Sequence, residues 1–334
     1  MKSNTKIYFL ENSFDYNAND LDSPNIGGSE KTLINITNAL STNDNLTIKV
    51  FNNTSKPKKI NKVLWSNINQ HYINDKPDYV IAMSDANLLS KINSKNNFVW
   101  SHSIQSIEKF FRKRQLFPFI KYKPTLILEG DYHYKSRSFF TSFFGKKILK
   151  IAPDYDFINF KINENYIPPP NAIFTTKSDR NLKTLLEAWH LIKEDGKNYK
   201  LYINPPFKLS KQHIRDNIFL RTKGNKHKLI KDLSNSRLFI SPGHKTEVFC
   251  LAAAEASELC VPIVTMGIGS LYERVLHGET GYIAKNLQEF VEYSKSILGN
   301  NDIYCMLRNK LINKRNSRNY EMVKNDFLKI LKNK

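Results

Sequence analysis

The stretch from residue 237 to residue 284 constrains the fold more than any other part of the 334-residue chain. It begins with the apolar run 238–240, which has the length of a buried parallel strand, and a Ser-Pro-Gly turn then introduces a helix. A second apolar run, 261–265, predicts the next strand and ends at a loop with two glycines. This pattern predicts that one helix N-terminus and two strand ends open on the same side of a parallel sheet.

Backbone amides and acidic side chains at this edge suit a nucleotide-linked ligand. The N–H groups of Val248, Phe249 and Cys250, at the expected start of the helix, would face an anion such as a diphosphate. A carboxylate at Glu255, eight residues after Glu247, can accept hydrogen bonds from both hydroxyls of a ribose. Glu247 is then left for hydroxyls of the group that the diphosphate carries.

In this stretch the chain resembles the retaining GT-B glycosyltransferases of glycosyltransferase family 4. The shared landmarks, in chain order, are Glu247, Glu255, the loop Gly267-Ile268-Gly269, Glu273 and the segment His277-Gly278-Glu279-Thr280-Gly281. The chain departs from the family at Val248 and Cys250, where glycine is usual, and at Cys260, where glycine or another small residue is usual. The resemblance implies an α/β protein of the GT-B fold, with two facing Rossmann-like, doubly wound domains and a central cleft.

Short apolar runs alternate with helix-like segments along the first half of the chain, which independently predicts doubly wound α/β structure. Strands are expected at residues 6–10, 46–52, 62–65, 79–83, 98–100, 125–128 and 147–151. A helix is expected after Gly27 and Gly28, with Ser29 as its N-cap. The two glycines allow a ligand to approach the backbone, and they resemble the GGxE loop of the family, which implies a binding role.

Three side chains outside the signature stretch also resemble functional positions of the family. His102 follows an expected strand at the edge where open α/β sheets bind ligands, and the family places a histidine of this kind against the donor sugar. Arg180 and Lys183 resemble the phosphate-binding pair, with Lys177 as an alternative. Cations there would stabilise a diphosphate as it departs. His102 and Glu247 are the expected catalytic residues.

Three consecutive prolines at 168–170 mark the expected domain boundary, because neither a helix nor a central strand tolerates them. We expect a Rossmann-like acceptor domain over residues 1–165 and a Rossmann-like donor domain over residues 166–315. A C-terminal helix over residues 316–334 should cross back to the first domain, as is common in GT-B enzymes. An apolar content of 40% over this length suffices for two cores.

The chain is strongly basic, with a net charge of +20 from 51 basic and 31 acidic side chains, which predicts a polyanionic neighbour. Residues 107–150 combine many of the basic side chains with eight of the 21 phenylalanines. Three interpretations stay open. The phenylalanines form the core beneath a solvated basic face, or the segment contacts an anionic membrane surface, or it binds nucleic acid.

Metal, disulfide and membrane-spanning elements are not expected. The three cysteines lack the spacing of a disulfide framework or a zinc site. Asp154-Tyr155-Asp156 has the DxD pattern of metal-binding glycosyltransferases of another fold, but the surrounding chain does not match that fold. No run approaches the roughly 20 apolar residues of a membrane span. These features predict a cytoplasmic protein, peripheral on the inner face of the membrane, with no metal site and no cofactor.

Together these features predict a nucleotide-sugar-dependent hexosyltransferase. The donor would be a UDP-, GDP- or ADP-sugar, and the acceptor a cell-envelope glycan or a lipid-linked sugar. The family resemblance implies retention of configuration without a metal ion. Two alternatives stay open: a phage-type glycosyltransferase acting on modified nucleic-acid bases, and a non-catalytic basic nucleic-acid-binding α/β protein. The ordered acidic landmarks argue against the second, because phosphate binding has no use for buried carboxylates.

Overall fold

The computed structural model describes residues 4–69, 76–193 and 196–333. The chain folds into two compact units: one comprises Met1–Ile151 with Tyr320–Lys334, and the other comprises Ala152–Asn319. Each unit contains one mainly parallel sheet accompanied by helices. This architecture confirms the α/β class expected from the alternating apolar and helix-like segments.

The first unit contains an eight-stranded sheet. Its strands are β1 (Thr5–Leu10), β2 (Leu46–Asn52), β3 (Lys58–Ile60), β4 (Val63–Asn67), β5 (Tyr79–Met83), β6 (Asn96–Trp100), β7 (Thr125–Leu128) and β8 (Lys146–Ile148). The helices before residue 150 are α1 (Gly28–Leu40), α2 (Ile107–Arg112), α3 (Leu116–Tyr122) and α4 (Asp131–Lys135). All seven predicted strands overlap observed ones. The antiparallel strand β3 is missing from the prediction because it has three residues, two of them lysine.

The strand order of this sheet is β3-β4-β2-β1-β5-β6-β7-β8, so the order reverses between β1 and β5. Loops that follow neighbouring strands diverge at such a point, and open α/β sheets bind ligands there. The loop after β1 ends at Gly27, which is the N-cap of α1. The prediction that Ser29 caps this helix is wrong, because the carbonyl of Gly27 already accepts a helical hydrogen bond from the Lys31 N–H at 3.0 Å.

The second unit contains a six-stranded parallel sheet. Its strands are β9 (Asn171–Phe174), β10 (Lys200–Ile203), β11 (Ile218–Leu220), β12 (Leu238–Ile240), β13 (Ile263–Thr265) and β14 (Gly281–Ile283). Its helices are α5 (Tyr155–Ile158), α6 (Leu182–Lys193), α7 (Lys211–Arg215), α8 (Lys226–Ser234), α9 (Leu251–Glu258), α10 (Leu287–Gly299) and α11 (Asn301–Lys314). The strand order is β11-β10-β9-β12-β13-β14, and it reverses between β9 and β12.

Alternate residues of the central strands in this sheet face two separate cores. Phe174 and Ile240 pack in the core that contains residues of α6 and α10. Ile173 and Phe239, their neighbours along β9 and β12, pack in the core that contains residues of α9. Since successive side chains of a strand point to opposite faces, the sheet is covered on both sides, as a doubly wound fold requires.

The segment between residue 152 and the prolines packs within the second unit. Phe157 is buried in the core beside α9. The Arg315 guanidinium donates to the carbonyls of Ile158 and Phe160 at 2.7 and 2.9 Å, which ties the segment to the end of α11. The units therefore divide after Ile151, whereas the sequence places the boundary after residue 165.

The last helix, α12 (Tyr320–Lys332), belongs to the first unit. The Phe327 ring lies 5.8 Å from the rings of both Phe9 and Trp100. Lys324 donates to the Thr42 hydroxyl, just beyond the end of α1, at 3.1 Å. The helix starts four residues after the predicted position 316, and Lys334 lies outside the described residues.

Every helix in the described ranges is too short or too polar to span a lipid bilayer.

Candidate active site

The turn that precedes α9 follows β12 at the point where the strand order of the second unit reverses. The helix begins at Leu251 because Cys250 has a left-handed backbone, with φ +57° and ψ +71°, that a right-handed helix does not include. Val248, Phe249 and Cys250 therefore lie in the turn, which corrects the expectation that they form the first turn of the helix. Within the described residues their N–H groups donate no hydrogen bond, so they remain available to an anion.

Left-handed backbone occurs at two positions where the sequence resemblance leads one to expect glycine or a small residue. Cys250 and Cys260 have φ values of +57° and +56°. Glycine adopts this conformation readily, which accounts for the usual glycine or small residue at these positions. Both cysteines are buried, and burial raises the pKa of the Cys260 thiol to about 11. Burial also raises the pKa of the Cys250 thiol, so both cysteines are neutral thiols.

Two glycines allow the turn before α9 to pack against the loop after β13. Gly243 and Gly269 have φ values of +91° and +75°. A Cβ atom on Gly269 would lie 2.2 Å from the carbonyl oxygen of His244, so only glycine fits there. The Ser270 N–H donates to the carbonyl of Glu247 at 3.0 Å. The glycine loop therefore fixes the backbone of Glu247.

The Glu247 side chain is partly buried, with its Oε2 shielded from solvent, and it lies in the field of Arg180. Its Oε1 is 3.8 Å from the Cys250 Sγ, and its Oε2 has no hydrogen-bond partner within the described residues. Burial raises the pKa of Glu247, and the Arg180 guanidinium opposes that rise. Arg180 Nη1 lies 3.1 Å from His244 Nδ1. The site therefore presents a shielded acceptor oxygen within the electrostatic influence of a cation.

Arg180 reaches this site because its loop follows β9, the strand beside β12. Asn181 Nδ2 donates to the carbonyl of Gly243 and joins the two loops. Lys183 behaves differently: its side chain is 92% exposed, and its Nζ lies 4.0 Å from Glu187 Oε1. The structure brings Arg180 close to Glu247, and Lys183 remains on the solvent face of α6.

The remaining acidic landmarks flank the same turn. Glu255 is buried in the middle of α9, one turn after the helix begins. Glu273 ends the 3-10 helix Gly269–Glu273, and its Oε2 is 3.8 Å from Arg274 Nη2. The Arg274 guanidinium lies 4.3 Å from the centre of the Phe249 ring. The glycine loop and Arg274 thus contact the turn that carries Glu247, and Glu255 lies on the helix that follows this turn.

His102, in the first unit, is held by a carboxylate. Its Nδ1 lies 2.6 Å from Glu129 Oε1, and the two side chains are 11% and 4% exposed. The His102 backbone N–H donates to the Ser84 hydroxyl at 3.1 Å, and the ring packs 5.3 Å from that of Trp100. With Nδ1–H donating to the carboxylate, Nε2 is buried and has no partner within the described residues. Nε2 is therefore the ring atom available to a ligand.

A second histidine, His133, forms a hydrogen bond with the backbone of Glu129. The Glu129 backbone N–H donates to His133 Nδ1 at 3.2 Å, and His133 Nε2 lies 3.1 Å from the Ser103 carbonyl oxygen. Burial lowers the pKa of His133 to about 4, so the ring is neutral and its Nε2–H donates to that carbonyl. Sequence reasoning misses Glu129, although it follows β7 directly, the same signal that identifies His102 after β6.

The glycine loop after β1 lies close to two further carboxylates. A Cβ atom on Gly27 would lie 2.6 Å from Glu30 Oε2, and that oxygen accepts a hydrogen bond from the Ser29 hydroxyl at 3.0 Å. Burial raises the pKa of Glu11, which follows β1, and the charge of Glu30 adds to the rise. Gly27 and Gly28 are therefore next to acceptor groups suited to ligand hydroxyls.

The two aspartates of the DxD pattern bind a lysine. Lys226 Nζ lies 2.9 Å from Asp154 and 2.6 Å from Asp156. Asp154 also caps α5 by accepting from the Asp156 N–H at 3.1 Å. One ammonium group thus pairs with both carboxylates and offsets one of their two charges. Across the described ranges, no group of three or more His, Cys, Asp or Glu side chains is arranged to hold a metal ion.

Most of the second unit matches a known family model. Residues 171–318 match the family model for glycosyl transferases group 1. A curated relative, the capsular polysaccharide biosynthesis glycosyltransferase CapM of Staphylococcus aureus, is 25% identical over 131 residues, which cover 37% of this chain and 34% of the relative. The aligned stretch thus spans about a third of the length of that relative.

Solved structures resemble the chain along its whole length. WaaG, a glycosyltransferase involved in lipopolysaccharide biosynthesis, has a TM-score of 0.70 at 12% identity and covers 98% of this chain and 100% of its own. HepE of Anabaena, in complex with UDP and glucose, has a TM-score of 0.71 at 14% identity, with coverages of 99% and 100%. These likenesses confirm the predicted fold class. The chain has the GT-B fold, and its residues 171–318 match the family model for glycosyl transferases group 1.

Proposed function

We propose that the chain transfers a hexosyl group from a nucleotide-diphosphate sugar to a cell-envelope glycan or a lipid-linked acceptor, with retention of configuration and without a metal ion. The observation that supports this most strongly is the meeting of Arg180, Glu247 and a turn with unpaired N–H groups where the strand order of the second unit reverses. Names of similar proteins favour a glycan acceptor, since CapM and WaaG are named for capsular polysaccharide and lipopolysaccharide biosynthesis. We place the reaction on the cytoplasmic side of the membrane.

The nucleotide is assigned to the second unit. In this proposal the N–H groups of residues 248–250 bind the diphosphate, and Arg180 neutralises it. Glu255 accepts hydrogen bonds from the ribose hydroxyls, and Glu247 accepts one from a sugar hydroxyl through its unpaired Oε2. Lys183 supplies a second cation by rotation of its exposed side chain. The bound nucleotide is UDP, GDP or ADP, and HepE bound to UDP and glucose favours a nucleotide of this kind.

The chemical step needs no nucleophile from the protein. The bond between the anomeric carbon and the diphosphate oxygen breaks, and the acceptor oxygen bonds to that carbon on the same face. The acceptor proton passes to a phosphate oxygen of the leaving group. Charge develops on the departing diphosphate, where Arg180 and the turn amides stabilise it. Within the first unit, Nε2 of His102 is assigned to a sugar hydroxyl, and the Gly27-Gly28 loop lets a ligand approach the backbone.

A donor screen tests the activity. The protein is incubated with UDP-, GDP- and ADP-sugars, with or without EDTA, and release of the nucleoside diphosphate is followed. We expect one nucleotide class to be turned over, at an unchanged rate in EDTA, and Glu247→Gln to lower kcat by about a hundredfold. The exposed acid Glu292 of α10 offers a control, and Glu292→Gln should match the parent. Absence of turnover with every donor, or complete inhibition by EDTA, would contradict the proposal.

Retention is tested separately on the glycoside formed. Proton NMR of the product gives the configuration from the coupling of the anomeric proton, because the glycosidic linkage holds the anomeric carbon fixed. The proposal requires that product and donor share one anomeric configuration. An inverted product would leave the sugar-transfer activity intact and contradict the mechanism.

A further inference from the structure

An inner cluster of phenylalanines joins three elements of the first unit. Phe110 of α2 lies 4.9 Å from Phe119 of α3 and 5.2 Å from Phe140, measured between ring centres. Phe144 lies 5.0 Å from Phe119 and 5.5 Å from Phe140. Phe140 belongs to the 3-10 helix Phe139–Phe143. These contacts show that α2, α3 and the 3-10 helix are neighbours that pack around one set of rings. Four of the eight phenylalanines of residues 107–150 therefore pack together, as the core interpretation of the sequence expects.

An outer set of phenylalanines on the same three elements points to solvent. Within the described ranges, the only phenylalanines more than half exposed are Phe111, Phe117, Phe139 and Phe143, at 65, 68, 77 and 72%. Ile107 and Ile120, on the same two helices, are also more than half exposed. Exposed apolar side chains scattered singly need no explanation, but six of them on adjacent elements mark an interaction site.

Cations surround this outer set. Arg112, Lys113 and Arg114 follow Phe111 directly and are exposed. Lys121 Nζ lies 5.8 Å from the centre of the Phe117 ring. Glu108 is the single acidic residue on α2 and α3. The surface therefore combines exposed apolar rings with a local excess of positive charge.

We propose that this docking surface, defined by Phe111, Phe117, Phe139 and Phe143 with the basic residues of α2 and α3, binds an anionic phospholipid bilayer. The rings enter the headgroup region, and the cations contact lipid phosphates. The exposed isoleucines favour lipid over nucleic acid, since they gain from burial among acyl chains and have no π-face on which a base stacks. This inference is independent of the proposed transferase activity, because binding is measured without a donor.

Vesicle co-sedimentation tests the apolar part of the surface. The probes are phosphatidylcholine vesicles with and without phosphatidylglycerol. The parent should bind the anionic vesicles, and simultaneous replacement of the four outer phenylalanines by serine should weaken binding about tenfold or more. The matched control replaces four exposed apolar side chains of the second unit by serine, namely Tyr155, Ile214, Leu276 and Met306. The proposal is overturned if both variants bind alike or if the parent binds single-stranded DNA and no vesicle.

Charge neutralisation tests the electrostatic part. Changing Arg112, Lys113, Arg114 and Lys121 to glutamine should weaken binding to anionic vesicles about tenfold or more, since each cation near the surface contributes separately. The control removes the same net charge from exposed lysines of the second unit: Lys211, Lys231, Lys285 and Lys310. Equal losses in the two variants would show attraction by overall charge and would overturn the assignment to this surface.

A single substitution provides a test that does not depend on multiple variants folding. Trp65, Trp100 and Trp189 are fully buried, so the native tryptophans are shielded from lipid. Phe117→Trp introduces one exposed indole, and vesicles with brominated acyl chains should quench its fluorescence. Ile214→Trp, at an exposed position of the second unit, serves as the control and should stay unquenched. Quenching that is absent at position 117, or equal at both positions, refutes the docking surface.

Discussion

At the residue scale, each unit holds a carboxylate with restricted access to solvent that sets the chemistry of its candidate site. Glu247 combines a hydrogen-bonded oxygen with an unpaired one beside Arg180. Glu129 accepts from His102 and is supported from its backbone by His133. Buried polar groups of this kind are costly unless paired, so they identify positions where a ligand can complete the hydrogen bonding.

The contact between Glu129 and His102 predicts a change in the imidazole when the carboxylate is removed. In Glu129→Gln the Nδ1–H loses its charged acceptor, so the tautomer with the proton on Nε2 gains population. We expect altered ¹⁵N shifts of the His102 ring and a decrease in kcat of about tenfold or more with little change in KM. Glu108→Gln, on the exposed surface of α2, is the control. Unchanged ring shifts in the Glu129 variant would refute the positioning role.

Burial of His133 predicts a pH dependence of stability. Its pKa is lowered from 6.5 to about 4 in the folded chain. Below pH 6.5 the unfolded chain binds a proton that the folded chain does not, so stability is lost as the pH falls from 6.5 towards 4. The loss should be about 3 kcal/mol. Urea unfolding across this range should give a flatter profile for His133→Gln than for the parent, and parallel profiles would contradict the account.

At the element scale, the candidate site of the second unit depends on loops, whereas strands and helices supply the frame. The loops after β9 and β12 come together because those strands are neighbours at the reversal of strand order. The loop after β13 then packs against the turn before α9 through Gly269. The positions of Arg180 and Glu247 follow from this topology.

Two glycines with similar positive φ values allow the steric cost of a side chain to be measured separately from the cost of left-handed backbone. Gly269 and Gly278 have φ values of +75° and +78°, but a Cβ at Gly278 meets no atom within 4 Å. Gly278→Ala should therefore cost only the left-handed strain, about 1 kcal/mol. Gly269→Ala adds a clash with the carbonyl of His244 and should cost at least about 2 kcal/mol. Urea unfolding compares the two variants, and equal losses would show that the close packing of the loops contributes nothing.

Local sequence patterns predict elements better than they predict where helices begin. The strands β2, β5, β7 and β12 have the bounds expected from their apolar runs. The start of α9 differs from the expected position, because the left-handed conformation of Cys250 depends on packing that residue propensities do not describe. The short strands β3 and β14 lack a long apolar run and are not identified from sequence. Boundaries set by tertiary contacts therefore need the structure.

At the scale of the whole molecule, the two Rossmann-like halves of the GT-B fold follow from the alternation of strands and helices. The exact boundary between the two units does not follow from this alternation. The burial of Phe157 and the hydrogen bonds of Arg315 place the segment before the prolines in the second unit. Candidate site residues that follow apolar strands were recognisable one by one. The contact of Glu129 with His102 and the exposure of Lys183 could be recognised only from the arrangement of neighbouring loops and helices.

The central claim is that the turn before α9, together with Glu255 on that helix, binds a nucleoside diphosphate. Calorimetric titration with UDP, GDP and ADP measures this directly on the parent, on Glu255→Gln, and on Glu258→Gln as a control. Glu258 is a buried acid of the same helix that accepts from the Asn316 N–H at 3.0 Å. The account predicts that one nucleotide binds the parent, that its Kd rises about tenfold or more in Glu255→Gln, and that Glu258→Gln binds like the parent. Binding of none of the three nucleotides, or equal affinity in both variants, would contradict it.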